Sequence, residues 1–368
     1  MHCRSFTLVL AAIFFLVACS PAPETVLPSA TETSVPTTQP PTSEPAAPTV
    51  TSQPAFTMDW LTQLEVIDAR NWSRLQLLKT FPAEMPLNHS AVAISPDGKT
   101  MAVGSSSGAQ IFFFDLASGQ LSRTIPINGV VNVNAYFNVI EYLSDGTIMA
   151  NSDSPYMIYH MDAAGNVLSA WDGISFALSA DKSIMAHHTD EGITLLDIAN
   201  NAPLLSLEET DGMYFSFSPD GSRIAIETIG IDFLNTVIWD IPNQTLLRTL
   251  DETANARFSS DGNFLAVTSY VEGTNPLKIF SPDGADQITT LQAGDSNSLN
   301  GRPPLWSLDG SVIAAQISNG SPVAWDTTNW QPLEAPALQG ELYSFSSDGR
   351  ILITRALDGG IMFWGVLP

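Results

Sequence analysis

The sequence predicts an all-β fold: a seven-bladed β-propeller of four-stranded antiparallel blades, with the ring closed by an N-terminal strand. Three observations predict it. A turn core of the form Ser-x-Asp-Gly recurs seven times, and successive copies lie about 42 residues apart on average, which is the length of one four-stranded blade. Between the turns run short apolar segments rich in β-branched and aromatic residues, the composition of strands.

Composition agrees with one large folded domain and narrows its partners. Of 368 residues, 44% are hydrophobic and 14% charged, ample for a sizeable core. The net charge of −24 would repel nucleic-acid phosphates, so nucleic acid is not expected as a partner. The two cysteines, Cys3 and Cys19, both lie in the first twenty residues. The folded body therefore has no disulfide framework, thiol nucleophile or cysteine metal site.

Taken in order, the first element is residues 1–18. Arg4 precedes an apolar run from Phe6 to Ala18 that ends in Leu16-Val17-Ala18-Cys19. This resembles a bacterial lipoprotein signal, and Cys19 is the residue that matches the lipidated first residue of such proteins. The run of about 13 residues falls short of the roughly 20 that a spanning helix needs, so it reads as a cleaved signal and membrane contact is expected through a lipid alone. Residues 19–57 form the second element. Pro, Thr, Ser and Ala make up 28 of the 38 residues from Ser20 to Thr57, with no Lys or Arg, a composition that stays extended as a tether.

Residues 58–368 carry the repeats. The turns are Ser95-Pro96-Asp97-Gly98, Ser144-Asp145-Gly146, Ser179-Ala180-Asp181-Lys182, Ser218-Pro219-Asp220-Gly221, Ser259-Ser260-Asp261-Gly262, Leu308-Asp309-Gly310 and Ser346-Ser347-Asp348-Gly349. Two are read as shortened, and one has Lys182 for glycine. Proline presets the turn, aspartate caps it and glycine tolerates positive φ. A further Ser281-Pro282-Asp283-Gly284 falls out of phase, between the third and outer strands of blade five. The fourth repeat shows the full order: Met213 to Ser218, Arg223 to Glu227, Thr236 to Asp240 and Thr245 to Leu250.

Third strands tend to end in an apolar or aromatic residue followed by aspartate, as in Phe114-Asp115, Met161-Asp162, Leu196-Asp197, Trp239-Asp240 and Trp325-Asp326. From about residue 74 to the end, the chain thus resembles the WD-repeat family, whose members are chiefly scaffolds with unrelated partners. It departs from that pattern at Asn88-His89, Phe280-Ser281 and Trp364-Gly365, so the family's internal hydrogen-bond tetrad does not carry over whole. The last repeat has only three strands. Arg74 to Phe81 reads as the missing fourth, which would cover the exposed edge.

Candidate chemistry is sparse. Gly104-Ser-Ser-Ser-Gly108 matches a nucleophile elbow in letters but is followed by a strand, Gln110 to Asp115, where the elbow needs a helix. His187 and His188 are neighbours on a strand and point to opposite faces, and His89 and His160 sit in other repeats. No residue combination calls for a metal or cofactor. Irregular loop length is more informative, because binding residues sit on loops over a rigid scaffold. The candidates are Asp232 and Phe233 in blade four, Tyr270 and Glu272 in blade five, and Asp295, Asn297 and Arg302 in the connection into blade six.

These features lead to a monomeric, membrane-anchored, extracytoplasmic propeller that binds rather than catalyses. Its partner is expected to be a protein, with a glycan or small ligand as the alternative. Two alternatives stand beside this reading: a propeller-type hydrolase or carbohydrate-processing enzyme with its site near the central channel, and a binding propeller resembling the six-bladed periplasmic TolB type.

Overall fold

Short strands joined by tight turns pair only with their sequence neighbours, and in this chain that rule produces one sheet per repeat. The computed structural model describes residues 63–81, 91–104, 110–126, 137–153, 155–208, 212–229, 234–270, 275–292, 299, 302–318, 321–334, 336–356 and 359–368. Their strands form seven four-stranded antiparallel sheets, the blade count on which the two propeller resemblances parted. Blade one opens at Val92–Ile94 and ends at Leu121–Pro126; blade two opens at Phe137–Tyr142 and ends at Val167–Asp172. Blades three, four and five run from Ser175–Leu178 to Ala202–Glu208, from Gly212–Phe217 to Thr245–Leu250, and from Thr253–Phe258 to Gln287–Leu291. Blade six opens at Leu305–Trp306 and ends at Gln331–Pro332.

Blade seven is composite. Glu341–Phe345, Leu352–Arg355 and Ile361–Gly365 come from the C-terminal end, and Gln76–Phe81 adds the outer strand antiparallel to Ile361–Gly365. The closure expected from sequence is therefore present, with Trp72–Arg74 forming a short 3-10 turn ahead of the strand. Its packing explains why the ring closes there. Phe81 is fully buried, with its ring centroid 5.0 Å from that of Phe363 and 6.2 Å from that of Phe114 in blade one. Leu64, Ile67 and Trp72 are also buried, so the stretch before the strand extends the core. Its backbone is pinned by Glu65 N to Val366 O at 3.0 Å and Ile67 N to Gly349 O at 2.9 Å.

The cores lie between blades. Ile224 and Ile226 of blade four pack with Ile193 and Leu195 of blade three, while Ala225 and Ile238 pack with Leu265 and Val267 of blade five. Second and third strands are thus covered on both faces, and Ile111, Phe113 and Phe114 are all buried in one strand without polar alternation.

The repeated turn works as one hydrogen-bonded unit. In blade four, Ser218 Oγ donates to Asp220 Oδ1 at 2.6 Å and accepts Arg223 N at 2.9 Å, while Ser222 N donates to Asp220 Oδ1 at 3.0 Å. Lys182, in glycine's place, takes φ of 61° as the turn requires. Two turns differ from their sequence reading. The sixth is complete, because Ser307 occupies the serine place and bonds Asp309 Oδ1 at 2.7 Å. In the second, Leu143 holds that place through its backbone, with Gly146 N to Leu143 O at 3.0 Å, so Ser144 is not the capping residue. The out-of-phase turn at Ser281 joins Leu277–Phe280 to Gln287–Leu291, the third and outer strands of blade five.

Candidate functional site

Strand alternation gives the propeller two unlike faces. Turns between first and second strands, and between third and fourth, share one face; the remaining loops share the other. On the turn face, carboxylates are consumed locally. The strand-end aspartates cap their turns, with Asp115 Oδ1 accepting Ser118 N at 2.7 Å and Asp240 Oδ1 accepting Asn243 N at 2.8 Å. Hydrogen bonds from Ser218 and Ser222 hold the Asp220 carboxyl below its ordinary value, and Ser95 and Lys99 do the same for Asp97.

The loop face follows a different rule. Seven residues after each turn aspartate, at the loop end of the second strand, stand Gly104, Ser152, His188, Glu227, Thr268, Gln316 and Arg355. These are seven different residue types at one register position, on blades whose turns nearly repeat. Two of them have a structural duty: Glu227 Oε2 accepts Asn255 N at 2.8 Å, and Gln316 Oε1 accepts Leu342 N at 2.9 Å. Each thereby satisfies a backbone donor on the next blade's inner strand. In blade six the corresponding inner-strand residue is Pro303, which has no N–H to satisfy.

Two loop-face clusters emerge. Tyr270 sits with Glu227 and Asn255, its hydroxyl accepting Asn255 Nδ2 at 3.2 Å. Burial raises the Glu227 carboxyl above its ordinary value, opposed by the Asn255 N–H, and burial likewise raises the Tyr270 phenol. The second cluster joins blades six and seven: Arg302 Nη2 and Arg355 Nη2 donate to the same Glu341 oxygen at 2.8 and 3.2 Å. Beside Arg355, Val92, Tyr343, Ile353 and Ile361 line a small pocket, and the Tyr343 hydroxyl accepts Val92 N at 2.8 Å.

Of the residues picked from sequence, Tyr270 and Arg302 therefore lie on the loop face but in separate clusters. Cys19, Asp232, Phe233, Glu272, Asp295 and Asn297 lie outside the described residues, as do most of the Gly104–Gly108 stretch and His89. His160 Nε2 lies 2.8 Å from Thr147 Oγ1, which donates to Asp145, and His187 Nδ1 lies 3.1 Å from the Asp172 carbonyl. Among the described residues no three His, Cys, Asp or Glu side chains are grouped to hold a metal ion. Sequence reading missed Glu227, Glu341 and Arg355. Counting seven residues on from each turn aspartate would have exposed two of them.

No family model matches the chain, and no curated protein matches it in sequence. Among solved structures, it is similar to the β-propeller domain of Myceliophteria thermophila Cps50 (Swd1), with a TM-score of 0.61 and 15% identity over 79% of this chain and 99% of that one. At that identity the likeness shows the fold alone, a WD-repeat-like propeller.

Proposed function

We propose that this propeller is a non-catalytic interaction scaffold, displayed outside the cytoplasmic membrane on a tether whose lipidated end is Cys19, and that it engages a protein partner through its loop face. One observation carries the reading. Tyr156, Tyr214 and Ile229, large side chains at the loop-face ends of their strands, are each at least half exposed. Exposed aromatic and aliphatic groups at one face of a rigid scaffold are the kind of surface that a protein partner buries. The acidic composition and the Pro/Thr-rich residues 19–57 are in keeping with an extracytoplasmic display. In this reading anchoring rests on Cys19; among the described residues no helix is long and apolar enough to cross a membrane.

The test uses the full-length chain in its own envelope, with a photo-reactive residue placed at Tyr214, Ile229 or Tyr270 on the loop face, or at Pro219 or Asn263 on the turn face. One defined partner captured from loop-face positions and absent from turn-face positions is expected. Capture from both faces alike, or from the turn face, contradicts the reading. Separately, Cys19→Ala is expected to move the chain from the membrane to the soluble fraction and to remove the lipid mass.

A further inference from the structure

The seam between blades four and five holds a carboxylate that its structural duty does not require. Glu227 stands at the loop end of the second strand of blade four, is only 4% exposed, and accepts Asn255 N of blade five through Oε2 at 2.8 Å. Blade six does the same work with an amide. Gln316, like Glu227 seven residues after its turn aspartate, accepts Leu342 N of blade seven through Oε1 at 2.9 Å. A neutral side chain therefore suffices for the bond between blades. An ionised carboxyl costs more to bury than an amide, because a charge loses more on leaving water. Among the described residues no Lys, Arg or His pairs with Glu227, and its Oε1 accepts no hydrogen bond.

Other unused polar atoms face the same seam. Thr236 lies directly opposite Glu227 in the neighbouring antiparallel strand, so both side chains project from one face of the sheet. That face is turned to blade five: Ala225 and Ile238, two residues from Glu227 and Thr236, pack with Leu265 and Val267. By the same alternation Ser269, two residues beyond Val267, faces blade four. Thr236 and Ser269 are fully buried, and neither hydroxyl has a hydrogen-bond partner among the described residues. Tyr270 completes the set, with its hydroxyl 3.2 Å from Asn255 Nδ2.

The way in is short. Ile229, two residues beyond Glu227 on the same face of the strand, is 58% exposed, so about 6.6 Å of strand separates the carboxylate from the rim. A flexible four-carbon stem suits that depth, and the ammonium at its end brings three donors and one positive charge in a compact group. One carboxylate matches one ammonium in charge. A divalent cation would find too few charged oxygens here, and a guanidinium is broader, with five donors to satisfy.

We propose that the seam between blades four and five receives a primary ammonium group, carried by a lysine of the protein partner, with Glu227 as its counter-ion and the Thr236 and Ser269 hydroxyls as acceptors. The identity of the carrier rests on the loop-face reading above; the ammonium site does not.

Titration of the full chain with n-butylammonium, followed by ligand-observed NMR, tests the site. Saturable binding is expected, about tenfold or more weaker in Glu227→Gln, the loss expected for a charge-assisted hydrogen bond. Glu227→Gln keeps an acceptor for Asn255 N, as Gln316 does in blade six, and is expected to melt no lower than the parent. Thr236→Val removes an unmatched hydroxyl, so it should also melt no lower while binding the amine more weakly. Glu252→Gln, an exposed carboxylate on the connection between the two blades, should bind as the parent does. No saturable binding, or equal binding by the parent and Glu227→Gln, overturns the proposal. The carrier is tested in the envelope with a photo-reactive residue at Tyr214, where capture of the partner is expected to fall when Glu227→Gln is added. Undiminished capture beside amine binding that needs Glu227 would put a free amine in the seam and overturn the lysine assignment. Absence of any captured partner from the parent would refute the loop-face reading alone, since the titration decides the ammonium site independently.

Discussion

The turn face and the loop face are built from the same seven repeats, but they use charge in opposite ways. On the turn face, Asp97, Asp181, Asp220, Asp261, Asp309 and Asp348 each take the same hydroxyl from the serine two residues earlier. On the inner and second strands, Glu141, Arg257, Glu341 and Arg355 have no residue of their own type at the equivalent positions of other blades. Repetition marks what every blade needs to fold. Its absence marks what only one place on the molecule needs.

The largest effect should come from breaking closure, on which both regions depend. A chain beginning at residue 83 lacks Gln76–Phe81 and leaves Ile361–Gly365 as an uncovered apolar edge. It is expected to aggregate, and a stable monomer on size-exclusion chromatography would show that closure is dispensable. Phe81→Ala is milder. Emptying this fully buried site against Phe363 should cost about 3–5 kcal/mol, measured by denaturant unfolding.

Next come the repeated turns. Asp220→Ala removes the acceptor of Ser218 and Ser222, and should cost about 1 kcal/mol because the net value of exposed hydrogen bonds is modest. The same change at Asp97 or Asp348 should cost a similar amount. Costs that differed severalfold among them would mean that the turns are not interchangeable.

Acid should separate the regions more gently. His160 and His187 are held below the ordinary histidine value of 6.5 by burial, so the unfolded chain binds protons first as pH falls. Their contribution is complete above pH 6.5 and is lost as pH drops below it. The turn aspartates lie below their ordinary 3.8, so their contribution is complete above that value and is lost only as pH falls through their lowered pKa values. Urea midpoints measured from pH 8 to 3 should show a small early decline followed by a steeper one. His187→Gln should reduce the early decline and leave the later one.

Much of the fold was legible because its determinants are local and repeated. Ser-x-Asp-Gly fixes a turn within four residues, and its spacing counts blades. The closing strand was readable at Arg74 to Phe81 because it copies the fourth strand of blade four, but the buried Leu64, Ile67 and Trp72 were not, since they match no repeat. Ser307 was overlooked although it stands two residues before Asp309, the place that serine takes in the other complete turns. The sites were less legible for the opposite reason. Glu341 and Arg302 meet only when blades six and seven are adjacent. Long loops drew attention to Tyr270 and Arg302, whereas residues inside regular strands, Glu227 and Thr236 among them, gave no signal until the register was known.

The claim that the repeated turns hold the fold while the loop face binds is tested most directly by measuring two properties of two variants side by side. Melting temperature and capture of the loop-face partner should respond in a crossed pattern: Asp220→Ala melts lower with capture unchanged, and Tyr214→Ala loses capture without melting lower. If both variants lose the same property, the division between the two regions is wrong.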